Sequence, residues 1–379
     1  MLPYGRQSID EADIAAVCEV LRGDWLTTGP AVARFERELA AWTGGVPCVS
    51  VTSGTAALHV AYAAAGIGAG DEVVTSPLTF VATAATAVLL GAKVVFADVE
   101  PGTGTLDPGA AAAAVTARTR AITAVDYAGH PADYDELRRV ADGCGALLVG
   151  DAAHSIGAAY RGRAVGSVCD LTTFSFFPTK TVTTAEGGAV AVRDAELFRR
   201  AAMFRNHGLV RDQALQRDPE VGGWHQEVHA FGLNYRLPDV LCALGISQLR
   251  RLPAFMARRA ELVARYTKLL GGVPGLTLPV QRDHVTPSWH LYPVRIHDGR
   301  RREVYDRMRA AGIGVQVNYI PAYWHPVFED LGYRRGLCPE AEAYYSEQLS
   351  LPLFPDLTDG DQDRVVECLA GILSRRSAP

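Results

Sequence analysis

Seven cysteines (Cys18, Cys48, Cys144, Cys169, Cys242, Cys338 and Cys368) are scattered along the chain without a C-x-x-C pair, and their number is odd. That gives no basis for a disulfide framework or a cysteine metal site, and points to a reducing, cytoplasmic setting with no metal. An excess of one charge is lacking too. With 37 basic against 42 acidic residues and a net charge of −5, the chain offers no electrostatic footprint for nucleic acid or an anionic membrane. No apolar run approaches the roughly 20 residues of a membrane span. The opening MLPYGRQSIDEADIAAV has no basic stretch followed by an apolar core, so no targeting signal is expected. A small metabolite is left as the natural partner.

What is present is core-forming material: 379 residues, 48% hydrophobic, are enough for two domains. Between Pro47 and about Val192 the runs CVSVTSG, DEVVTSP, KVVFADV, RAITAVDYAG, ALLVGDAAH, DLTTFSFF and GGAVAV alternate with helical patterns. Strands alternating with helices predict an α/β fold with a largely parallel sheet covered on both faces. The alanine-rich DPGAAAAAVTARTR reads as a surface helix. From Leu237 to about Leu270 a long helical pattern bridges to a second region, and Pro253 is expected to break it. WHLYPVRI, a helix over residues 301–311 and GVQVNYIP then predict a smaller α+β domain. The expected division is 1–250, with an N-terminal arm, and 251–379.

In open α/β sheets, ligands bind beyond the carboxyl ends of the strands, where helix N-termini attract anions. TSGTAAL (Thr52–Leu58) has that form: Gly54 permits close backbone approach, and Ser53 and Thr55 bring hydroxyls to a helix start. The segment either holds a phosphate or is an ordinary cap on Ser53 or Thr55. ALLVG runs into Asp151-Ala152-Ala153-His154. An aspartate ending an apolar strand is costly to bury unless a positive group, such as a protonated ring nitrogen, pairs with it; the alternative is a capping aspartate. His154 is either a site residue or a core histidine bonded to backbone. Lys180 stands in FSFFPTKTVTTAEGG (Phe174–Gly188), between aromatic residues and a small-residue loop. Burial there would depress its pKa and favour the neutral amine that Schiff-base chemistry needs, unless the side chain snorkels to the surface. A phosphate cradle, an acid for a pyridinium and a Schiff-base lysine together match one cofactor, pyridoxal 5′-phosphate.

These segments occur in order with DWLTTGP (Asp24–Pro30), PLTFVAT (Pro77–Thr83), GDAAHSIGA, GLNYRL (Gly232–Leu237) and LSLPLFPDLTD. Over nearly the whole chain they resemble the DegT/StrS-type sugar aminotransferases, pyridoxal-phosphate enzymes of fold type I. The resemblance implies a mainly parallel seven-stranded sheet in the large domain. It makes Lys180 the cofactor-bearing lysine and Asp151 the acid that keeps the pyridine nitrogen protonated. Gly54, Thr55 and Ser175, with Ser53 beside them, match phosphate-binding positions. Phe80 matches the aromatic that stacks on the ring, although a phenylalanine after a strand can equally be core. His154 matches a position on the cofactor's hydroxyl side. Asn234 matches a residue that reaches the phosphate across a dimer interface, which implies a homodimer with shared sites.

The implied reaction takes an amino group from glutamate, passes through the pyridoxamine 5′-phosphate form, and delivers it to a nucleotide-linked keto-sugar. DAAH, DWLTTGP and NYIPAYWHP are similar to carbon-4 aminotransferases. The expected acceptor is therefore a 4-keto-6-deoxy sugar such as dTDP-4-keto-6-deoxyglucose, in deoxysugar or secondary-metabolite biosynthesis. Sugar contacts are expected from Thr28, His229, Tyr319 and His325; the last two read equally as interface or core residues. Arg236 is a candidate for the donor carboxylate or an interface charge. The alternatives are a 3-keto sugar aminotransferase and a non-catalytic pyridoxal-phosphate-binding regulator. A dehydratase of this fold type would carry histidine in place of Lys180.

Overall fold

A computed structural model describes residues 1–374. All seven apolar runs read above become strands of one sheet: β1 (Cys48–Val51), β2 (Glu72–Thr75), β3 (Lys93–Phe96), β4 (Thr119–Val125), β5 (Leu147–Asp151), β6 (Leu171–Ser175) and β7 (Gly188–Val192). Their order is β1-β7-β6-β5-β4-β2-β3. Strands β2 to β6 run parallel, and β7 runs antiparallel to both of its neighbours. Successive side chains of a strand point to opposite faces, so a sheet covered on both sides needs uninterrupted apolar runs. Val73 accordingly joins a cluster with Val94, Ala121 and Val149, while Val74 joins the opposite one with Ile122 and Leu148. The alanine-rich segment forms the Pro108–Ala114 helix, capped by the Asp107 carboxylate.

The break expected at Pro253 does not occur, and a single helix runs from Asp239 to Leu270 with the proline inside it. Proline removes the N–H that would bond the Leu249 carbonyl and costs about 3 kcal/mol in a helix interior. Here the flanking Leu249, Leu252 and Phe255 are buried in the core of the large domain, and their packing holds the helix together across the lesion. Further along, Leu262, Val263, Tyr266 and Leu270 belong to a separate core. One helix thus serves two cores, and the expected division near residue 250 falls inside it. The second core lies beneath a three-stranded antiparallel sheet of β8 (Leu276–Thr277), β9 (Tyr292–Ile296) and β10 (Gln348–Leu351), in the order β8-β9-β10. The N-terminal arm crosses to this smaller unit: Leu2 exchanges backbone hydrogen bonds with Gly312 and Gly314, and the Tyr4 carbonyl accepts from Leu353 N–H.

Candidate active site

Strands β4, β5 and β6 end at Val125, Asp151 and Ser175, and these three residues line one cavity of about 530 Å³. That is within the usual range of small-ligand sites. The carboxyl ends of parallel strands thus form its floor, as the strand pattern predicts. The arm supplies Tyr4, and the small domain supplies His290 and the Gln316–Tyr319 segment.

One end of the cavity is built for an anion. Ser53 is the N-cap of the Gly54–Ala64 helix, its hydroxyl accepting from Ala56 N–H at 3.1 Å. The capping alternative is therefore realised at Ser53, and it leaves the anion reading of the helix intact. The first intrahelical bond runs from Ala57 N–H to Ser53 O, so the amides of Gly54 and Thr55 precede it. Those amides lie at the positive end of the helix dipole. A Cβ on residue 54 would stand 2.7 Å from Ser175 Cβ, so only glycine lets this turn approach Ser175. Similarly, a Cβ on Gly188 would stand 2.4 Å from the Ser53 carbonyl, which is why the lysine loop closes on glycine.

Asp151 occupies the centre of the floor and is almost fully buried. Its Oδ2 accepts from Thr83 Oγ1–H at 2.6 Å and its Oδ1 from Ala153 N–H at 3.2 Å. Among the described residues it makes no ion pair. Burial pushes its pKa up, and the Thr83 hydroxyl, the Ala153 amide and the Lys180 charge pull it back in part. A carboxylate oriented by two donors but lacking a cationic contact is suited to a protonated ring nitrogen.

Lys180 Nζ makes no hydrogen bond or ion pair among the described residues, and the open part of its side chain faces the cavity. Burial lowers its pKa to about 8, against the attraction of Asp151. About a tenth of the amine is therefore neutral near pH 7, far more than for a hydrated lysine. The question raised by its apolar neighbours is answered by Phe174 and Phe176: both are fully buried and pin the loop, while Phe177 and Lys180 line the cavity.

His154 Nε2 lies 3.1 Å from the Tyr319 hydroxyl, and the two rings stack with centroids 6.0 Å apart. Burial, then the nearby Lys180 charge, hold this imidazole neutral. Phe80 is not core: it is 58% exposed, lines the cavity, and meets Tyr319 edge-on at 6.1 Å, leaving an apolar ring available to a flat ligand.

The cavity therefore gathers Ser53, Gly54, Thr55, Phe80, Asp151, His154, Ser175, Lys180 and Tyr319. Thr28, His229, Asn234, Arg236 and His325 do not line it within one chain. Thr28 is exposed in a left-handed turn, His229 bonds Glu227, Arg236 donates to Asn206 Oδ1 at 2.8 Å, and His325 is the cap of the Pro326–Asp330 helix. Asn234 is exposed and bridges Asn206 through its backbone. Sequence reasoning missed Tyr4, Thr83, Glu186 and His290, all of which line the cavity. Thr83 was within reach, three residues after Phe80 in the quoted PLTFVAT; Tyr4 and His290 arrive from distant segments without a local signal.

The donor set fits pyridoxal 5′-phosphate: an amide-lined helix start for phosphate, a cation-lacking carboxylate for the ring nitrogen, an exposed aromatic face, and a lysine with a depressed pKa. Comparisons with known proteins agree. Residues 7–370 match the model of the DegT/DnrJ/EryC1/StrS aminotransferase family. The spore coat polysaccharide biosynthesis protein SpsC of Bacillus subtilis is 39% identical, over 98% of this chain and 97% of its own. Among solved structures, the sugar aminotransferase Spr1654 of Streptococcus pneumoniae in its PMP-form superposes with a TM-score of 0.92 at 28% identity, covering 99% of both chains. The same protein has also been solved in a PLP-form. DesV of S. venezuelae superposes at 0.88 with 35% identity, covering 96% of this chain and 95% of that one.

Proposed function

The chain belongs to the DegT/DnrJ/EryC1/StrS aminotransferase family and uses pyridoxal 5′-phosphate; from that premise we propose that it transfers an amino group from glutamate to a nucleotide-linked 4-keto-6-deoxy sugar, with dTDP-4-keto-6-deoxyglucose as the acceptor to test first. The observation that carries this reading is the pairing in one cavity of a lysine whose amine is depressed to about 8 with a buried aspartate lacking a cationic contact.

When bound, the cofactor supplies an electron sink for the carbon that loses or gains the amino group. The protein's part follows from its own atoms. The Gly54 and Thr55 amides with the Ser175 hydroxyl would hold the phosphate, and Asp151, aimed by Thr83 and Ala153, would keep the ring nitrogen protonated. Phe80 would offer its exposed ring to the face of the cofactor. Lys180 Nζ takes a proton from the donor carbon in one half-reaction and returns one to the acceptor carbon in the other, a positioned transfer worth about 10²–10⁴-fold.

Tyr319 is the sugar-contact candidate that reaches the cavity in one chain. Thr28, His229, Arg236 and His325 join the site in this reading only as a partner protomer or a bound substrate brings them to it. A homodimer is supported by exposed apolar groups in the stretch of chain that leads to Asn234: Phe231 is 97% exposed and Trp224 82%. Large apolar side chains left this exposed in one chain are the kind of surface that association covers. Asn234→Asp should weaken cofactor retention by placing a carboxylate beside the phosphate. Mixed with Lys180→Ala protomers, it should form heterodimers with one intact site and about half the wild-type activity per dimer. Verified heterodimers without recovered activity would show that Asn234 serves its own chain.

Reach decides regiochemistry. The ketone must meet the amine at about 3–3.5 Å while the nucleotide stays anchored, so one ring carbon is presented productively. With matched 3-keto and 4-keto dTDP-sugars and glutamate, we expect a new C–N bond at carbon 4, located by NMR. Amination at carbon 3 would transfer the reading to a 3-keto sugar aminotransferase. The lack of any donor-dependent change in the cofactor spectrum would favour a pyridoxal-phosphate-binding regulator.

A further inference from the structure

His290 has no part in the chemistry described so far. It lies just before β9 of the small domain, yet its ring packs on His154 of the large domain with centroids 4.3 Å apart and planes inclined by 40°. Tyr319 also stacks against His154, and all three rings line the same cavity. Ser288 Oγ–H donates to the His154 carbonyl at 2.7 Å. The Ser288–His290 segment therefore grips both the backbone and the ring of His154.

His290 is itself seated at considerable cost. Trp289 before it adopts φ +51°, a conformation that an aromatic residue rarely takes. A Cβ on Gly129 would come within 2.8 Å of His290 N and Ser288 Oγ and 2.9 Å of His154 O, so the three meet only around a residue without a side chain. Arg259, in the long helix, is fully buried and has no carboxylate partner among the described residues. Its Nη1 instead donates to the carbonyls of Trp289 (3.1 Å), His290 (3.3 Å) and Leu353 (3.1 Å). A guanidinium buried without a counter-charge is expensive, and burial holds its pKa down to about 10. Finally, Nδ1 of both His154 and His290 is buried with no partner. Each such group loses its hydration without a hydrogen bond to offset the loss. An apolar residue at 290 would pack there without that cost.

We propose that His290, seated by Arg259, is a positioning residue that sets the ring orientation of His154 against the bound cofactor and so ties the seating of the small domain to the cofactor wall. The proposal rests on the cofactor site and not on the identity of the sugar. Burial, then the Lys180 charge at His154, and burial, then His154, Lys180 and Arg259 at His290, hold both imidazole pKa values far down, so each ring is a weaker base than Lys180 and does not compete with it as a proton carrier.

The test uses His290→Leu, which is close to histidine in volume and has no polar side-chain atom, together with Arg259→Lys, which keeps the charge and loses the three-carbonyl fork. In the apoprotein, the side-chain ¹⁵N signals of His154, identified by their loss in His154→Gln, should shift or split in both variants. The midpoint of apoprotein unfolding should stay unchanged or rise in His290→Leu, because an unpartnered buried nitrogen has been removed. On reconstitution, the absorbance maximum of bound pyridoxal 5′-phosphate should move. The maximal rate of the half-reaction with glutamate should fall about 10- to 100-fold, the effect of a displacement near 1 Å, with glutamate affinity changed much less. Unmoved His154 signals and cofactor band, with a rate within about twofold of wild type, would overturn the proposal. A lowered unfolding midpoint with those signatures unmoved would also overturn it, leaving His290 a packing residue. If His290→Leu does not fold, Arg259→Lys decides by the same readouts. If glutamate is not the donor, the ¹⁵N signals and the cofactor band still decide.

Discussion

Lys180→Ala should abolish the visible absorbance band of lysine-linked cofactor and lower transamination by about 10⁴-fold or more, the upper end of what a positioned proton carrier contributes. Among the described residues, Lys180 is the one lysine lining the cavity. Steady-state turnover near the wild-type rate would remove it from the mechanism. Lys180→Met, which keeps most of the side-chain volume, separates catalysis from folding. The folded-state pKa of about 8 is below the ordinary lysine value of 10.5, so the folded chain binds fewer protons than the unfolded one between those pH values. Stability of the apoprotein should therefore rise with pH across that window, and the cost of burying the ammonium is present in full below about pH 8. That cost is at most about 3.5 kcal/mol at roughly 1.4 kcal/mol per pKa unit. The Met variant should lose this pH dependence and, near pH 7, unfold no more easily than wild-type apoprotein. Denaturant melts at pH 7 and pH 10 measure both. A wild-type apoprotein with equal stability at the two values would show that the amine is hydrated after all.

Asp151→Asn should leave the apoprotein folded and reduce kcat by about 10²–10³-fold, the usual scale for removing one preorganised electrostatic partner. The amide has the shape of the carboxylate but cannot hold the charge on the ring nitrogen. Burial raises the Asp151 pKa, so the folded apoprotein binds more protons than the unfolded chain just above the ordinary carboxylate range. Its contribution is therefore a destabilisation, absent at low pH and growing as pH rises through the raised value. Asparagine removes that term. Unfolding midpoints of the variant should consequently fall less than those of the wild type between acid and neutral pH. Unchanged kcat in the variant would reduce Asp151 to a strand-end cap.

Local chemistry made a large part of this protein legible from its sequence. The seven strands of the main sheet are short runs rich in apolar and β-branched residues because both faces of the sheet are covered, and such runs stand out in any reading. Asp151 and Lys180 were legible because their neighbours are wrong for a hydrated charge: an apolar strand before one, buried aromatics beside the other. Gly54 and Gly188 are marked by type, but their reason, contact with Ser175 and with the Ser53 carbonyl, exists only in the fold. Pro253 shows the limit of local rules. Its cost is fixed by the backbone, yet packing of Leu249, Leu252 and Phe255 decides whether the helix continues. Tyr4, His290 and Tyr319 reach the cavity from the arm and the small domain, across sequence separations that carry no periodic signal. The sequence by itself determined the sheet, the cofactor chemistry and the residues at the strand ends, because those follow from the alternation and burial of neighbouring residues. The tertiary structure alone decided which distant side chains wall the cavity and that Tyr319 and His290 both pack on His154, because those contacts depend on how two separately packed cores are set against each other by one shared helix.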